Sequence, residues 1–89
     1  MGWTEVAALE TAAAAQTNRA ADIFLQLGVI YASGRSGLAD RIAAHKWFNL
    51  AAARGNREAV QHRRELAAEM SEGEIAAAQR AAREWLTTH

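Results

Sequence analysis

The sequence predicts an all-α domain of about five helices. Three observations predict it: twenty-three alanines, the absence of proline, and apolar residues that recur three and four positions apart in nearly every segment. Alanine loses no side-chain entropy in a helix, whereas proline removes a backbone donor and clashes with the turn before it, so this composition steers the chain to helix throughout. Its 89 residues suit one domain. A domain of this size buries a smaller share of its surface than one of about 150 residues, and its expected stability is marginal.

Each element follows from local signals. Residues 3-16 carry Val6, Leu9 and Ala13 on a narrow apolar stripe, with Thr4 or Thr11 as possible starts. Asn18 tolerates the left-handed conformation that often ends a helix, which puts a break at Thr17 to Asn18; the alternative is a single helix continuing to Tyr31. Residues 19-33 place Phe24, Leu27, Gly28 and Tyr31 at i, i+3, i+4 and i+7. A glycine inside a helix costs about 1 kcal/mol relative to alanine, so Gly28 implies another helix packed closely against the bare position. Gly34 to Ala39 reads as a loop. Asp40 is a fitting N-cap for helix 40-54, whose face of Ala44, Trp47 and Ala51 is widened by Ile42, Phe48 and Leu50. Gly55 stands where a left-handed cap is expected. Helix 56-70 turns Ala59, Leu66 and Met70 inward, and Ser71-Glu72-Gly73-Glu74 has the form of a capping box. That box opens helix 73-87, with Ile75, Ala78, Ala82 and Trp85 as its buried stripe. Connections this short make successive helices antiparallel neighbours.

The chain also resembles itself. Ala14-Ala15-x-x-Asn18 recurs as Ala51-Ala52-x-x-Gly55, a spacing of 37 residues that matches one helix pair. Phe24-x-x-Leu27-Gly28-x-x-Tyr31 resembles the opening signature of tetratricopeptide-type helix pairs. Taken with Gly34, Asp40, Ala44-x-x-Trp47 and Ala51-Ala52-x-x-Gly55-x-x-x-Ala59, the pattern resembles the Sel-one-like repeat family. The resemblance implies a tetratricopeptide-like right-handed α-α superhelix over 1-89: a degenerate half-repeat at 3-18, a full repeat at 19-55, and a partial repeat with a capping helix at 56-87. The family's loop pattern, Gly-x-Gly-Val, is replaced by Gly34-Arg35-Ser36-Gly37, which leaves Leu38 to substitute for the buried valine. Arg63 and Arg64 stand where the next copy would have Leu-Gly, so the array is expected to end there, its edge covered by the last helix. Family members look like adaptors that hold partner proteins on the concave surface of the stack. That alignment implies an inner face of Asp22, Leu25, Val29 and Ser33 on one helix and Glu58, Gln61 and Glu65 on another. Leu25 and Val29 are apolar residues off the main stripe, and burial beneath helix 3-16 accounts for them equally well.

The remaining residues exclude more than they assign. Residues 1–40 hold two basic and four acidic side chains, and residues 41–89 hold eight and six, so the net charge is zero and no strong field gathers phosphate or lipid. Arg54, Arg57, Arg63 and Arg64 with Lys46 form the one basic concentration; it would serve nucleic acid, but Glu58 and Glu65 dilute it and a solvated face of ion pairs explains it equally. His45, His62 and His89 lack ligand spacing and are expected on exposed or partly covered faces, so no metal or other cofactor is expected. No nucleophile and base pair or phosphate-cradling loop is evident, and an enzyme is not expected. Asp40 and Ser71 read as caps. Without cysteine there is no disulfide or thiolate chemistry. Neither a signal peptide nor a membrane span is visible, and the cytoplasm is the expected compartment, although a processed periplasmic chain would read the same way. Trp3, Trp47, Phe48 and Trp85 are candidate partner anchors; Trp47 belongs to the core by the family pattern, whereas Trp3 and Trp85 are open to two readings, contact with another chain or burial against each other. The expected function is a protein-binding module whose partner is another protein. Self-association into a homo-oligomer is the structural alternative, and nucleic acid is disfavoured.

Overall fold

The computed structural model describes residues 2–14, 19–35 and 37–89, and of residues 2, 3 and 12–14 the backbone alone. The described residues form five helices: α1 (Gly2–Ala14), α2 (Ala20–Ser33), α3 (Arg41–Ala53), α4 (Arg57–Ala67) and α5 (Glu72–Thr88). No strand occurs among the described residues. The expected break at Thr17 to Asn18 lies outside them, but α1 and α2 pack on one another as two helices. A single helix to Tyr31 is therefore not what forms.

The caps act where the sequence put them. Asp40 accepts a hydrogen bond from the Ala43 amide at 3.0 Å, and Asn56 accepts one from Ala59 at 2.9 Å. Ser71 and Glu74 bond reciprocally, at 3.1 and 2.9 Å, satisfying two amides at the start of α5. Gly34 (φ 75°) and Gly55 (φ 95°) take the left-handed conformation after α2 and α3. Helix α4 stops at Ala67, short of the expected Met70, because the amides of Glu69 and Met70 bond three residues back and tighten the chain into a turn. Arg41 fastens that turn by donating to the Glu69 carbonyl at 2.7 Å.

The middle helix is α3, which packs against α2, α4 and α5, while α1 packs chiefly on α2. The α2/α3 pair is an antiparallel hairpin, held at its loop by the Asp40 amide on the Tyr31 carbonyl and at its far end by Asn56 on Asp22. Pairing of Arg41 with Glu69 and of Arg63 with Asn49 makes α4 antiparallel to α3 as well. The core holds Phe24, Leu27, Ile30, Trp47, Leu50 and Ala51, with Val6 contributed by α1 and Ala82 and Trp85 by α5. Phe24, Trp47 and Trp85 are mutually in contact, with ring centroids 5.3 to 5.7 Å apart. Tilted and edge-on aromatic pairs of this kind contribute about 0.5–1.5 kcal/mol each beyond their buried area.

Three expectations are corrected here. Helix α5 does not chiefly cover the edge of α4; it returns to α3. The face of α4 buries only Ala59 and is flanked by Arg63, whereas Phe24 and Trp47 offer the apolar surroundings that the Trp85 ring requires. Leu38 does not take the buried valine's place and is 93% exposed. The amides of Gly34 and Arg35 close α2 on the Ile30 carbonyl and the Asp40 amide closes the loop on Tyr31, so Leu38 is left on the outer bend. His45 is buried, at 3% exposure, and not on an exposed or partly covered face. Smaller differences concern Leu66, Met70 and Ile75, which are half-buried.

Candidate functional site

Gly28 sets the position of the site. A side chain there would fall inside contact distance of two carbons of the Phe48 ring, with a third at 3.0 Å, so α3 approaches α2 closely at this point. The close helix inferred from Gly28 is therefore α3. Phe48 in turn stacks on His62 of α4, with ring centroids 5.1 Å apart and planes 14° from parallel. Because α2 and α4 both flank α3 but are not principal partners of each other, a groove remains between them. Phe48 and His62 form its floor, Val29, Ala32 and Ser33 its α2 wall, and Glu65, Leu66 and Glu69 its α4 wall. Val29 is 39% exposed, and no lysine or arginine lines the groove.

The residues expected on an inner face do not stay together. Val29, Ser33 and Glu65 meet in this groove. Asp22 and Glu58 lie together in a shallow depression near Asn56, where the Asn56 amide reaches Asp22 at 3.4 Å. Gln61 is exposed and donates to Glu65 at 3.0 Å. Leu25 is half-buried against the core, which separates it from Val29. The sequence offered Phe48 only as one of four aromatic candidates and did not single out His62, Leu66 or Glu69 as site residues. Gly28 held the signal for Phe48, since whatever fills a glycine notch borders the groove beside it.

Of the titratable groups outside the groove, His45 is buried and Lys46 and Tyr31 are half-buried. Burial, then the nearby Arg63 guanidinium, pushes the His45 imidazole below its ordinary range, and its Nδ1 has no hydrogen-bond partner among the described residues. Lys46 lies 4.3 Å from the Trp47 ring centroid. Burial lowers its ammonium, and Glu10 and Asp40 partly offset that effect. Tyr31 donates to Glu10 at 3.5 Å; burial and then the Glu10 carboxylate raise its phenol above the ordinary value. Trp85 is 8% exposed, its indole in the core and His89 stacked on it at 4.4 Å. The Trp3 side chain lies outside the described residues, so only Trp85 of that pair is placed.

The basic concentration is dispersed. Arg63 turns inward to Asn49 at 2.7 Å, Lys46 lies over Trp47, and Arg57 borders the depression that holds Asp22 and Glu58. Among the described residues no group of three or more histidine or carboxylate side chains gathers as a metal site, and no helix is long and apolar enough to cross a membrane. No family model, curated protein or solved structure matches the chain.

Proposed function

We propose that this domain is a non-enzymatic protein-interaction module, similar in kind to Sel-one-like repeats, that seats a segment of a partner protein in the groove between α2 and α4. In this reading α2 to α4 are one and a half stacked hairpins of a right-handed superhelix, and α5 closes the stack from the far side of α3. The observation that carries it is the partly exposed Val29 beside the stacked Phe48 and His62, between walls that end in Glu65 and Glu69. Apolar surface held open by a rigid floor favours a partner side chain, because covering it gains about 25 cal/mol per Å² without a cost of rearranging the floor. No cofactor enters this function.

Panning a displayed random-peptide library on the full chain tests the proposal, with the enriched peptides mapped by amide shifts. The shifts should cluster at 29–33, 48 and 62–69. Replacing Val29 with Asp should weaken binding by about tenfold while helicity is kept, as expected for an apolar contact of about 1.5 kcal/mol. Enriched peptides that map elsewhere, or a library from which nothing is enriched, would overturn the reading.

A further inference from the structure

We infer that the groove takes helix α5 of a second copy of this chain, so that copies associate head to tail. The inference rests on the reading of the groove as a docking surface and names its occupant. Helix α5 exposes Arg80, Arg83 and Leu86 at i, i+3 and i+6, a spacing that puts them along one edge. Leu86 is 48% exposed. Within α5 the buried stripe is Ala78, Ala82 and Trp85, and the arginine edge stays exposed where Arg83 and Leu86 border Leu50 and Ala53 of α3.

The two surfaces match in chemistry. The groove offers Val29 and Leu66, over the Phe48 and His62 rings, to an apolar side chain and Glu65 and Glu69 to cations, and among the described residues no lysine or arginine lines it. The α5 edge offers one leucine and two guanidinium groups, with the single Glu84 carboxylate beside Arg80 and Arg83, so cations prevail on it. A helix laid in a groove makes contacts of this form, with an apolar anchor and flanking charges that set its register.

The geometry also lets one copy use both surfaces at once. Phe48 faces the groove, whereas Leu50 and Ala53 face the α5 side bearing Arg83 and Leu86, so groove and edge share no residue and lie on different sides of α3. The two surfaces are different patches, so the contact is heterologous. Such contacts extend into open chains or rings and do not close as a two-fold dimer. One helix edge is a small interface, so the association is weak and visible only at high concentration.

Sedimentation of the full chain from about 10 µM to about 1 mM tests the inference. The average mass should rise above the 9.6 kDa monomer, and rise less in high salt. Charge reversal at either surface, in R80E/R83E or in E65R/E69R, should weaken association by at least about tenfold, since two exposed ion pairs become repulsive. All four side chains are exposed, and circular dichroism verifies that both variants fold. Mixing the two variants should restore association, because each acidic edge then meets a basic groove and each basic edge an acidic groove. A wild-type chain that stays monomeric, or one that associates without loss in the variants and rescue in the mixture, would overturn self-docking. Library peptides that still mapped to the groove would then leave the protein-interaction reading intact; their absence would remove both.

Discussion

Replacing Gly28 with alanine sets two known effects against each other. The gain is helix propensity, about 1 kcal/mol for glycine to alanine in a helix interior. The cost is overpacking, about 1–3 kcal/mol when a methyl group is forced into a filled site. Here the new carbon overlaps two ring carbons of Phe48, and the ring cannot swing away freely because it is buried and stacked on His62. The cost therefore falls near the upper end, and the net loss is about 2 kcal/mol, which lowers the melting temperature of a domain this size by about 10 °C. Urea unfolding followed by circular dichroism reads the loss directly. The sign should reverse in a Phe48→Leu background, where the smaller side chain leaves room and the propensity gain survives. A Gly28→Ala variant as stable as the parent, or more so, would refute the packing of Phe48 on Gly28 and remove the floor of the groove with it.

Further predictions concern the core, a cap, the loop and pH. Trp85→Ala should lose about 3–5 kcal/mol, much of a small domain's stability, so thermal melting should become broad or begin near room temperature; a change of only a few degrees would mean that α5 is not part of the core. Asp40→Ala should cost about 1 kcal/mol through the lost cap, whereas Leu38→Ser should stay within about 0.5 kcal/mol, and urea midpoints distinguish the two. His45 resists protonation in the fold, so the unfolded chain takes up the proton first. Stability should be full above the unfolded value near 6.5 and decline as pH falls below it, by up to about 1.4 kcal/mol per pH unit. Unfolding at several pH values should show that His45→Leu flattens this slope, and equal slopes in parent and variant would assign the pH response to other groups.

Much of the fold was legible residue by residue. Asp40, Ser71 and Glu74 announced helix starts because capping is a contact within three residues, and Gly34 and Gly55 ended helices because they accept positive φ. The site was legible only in part. Val29 stood out as an apolar residue off the main stripe, and it does border the groove, but Leu25 had the same pattern and packs against the core. They stand four positions apart on α2, and which one meets solvent depends on the packing of neighbouring helices, which no local pattern contains.

By itself the sequence determined the five described helices, most of their caps and most of the buried stripes of α2, α3 and α5, since these depend on contacts no more than four residues apart. The tertiary structure alone decided that α5 pairs with α3, that Leu38 is outside and His45 inside, and that a groove opens between α2 and α4. Each of these is a choice among apolar faces that look alike in sequence. The choice was settled by which shapes fit: the Trp85 ring found its room between Phe24 and Trp47, and Phe48 found its own over Gly28.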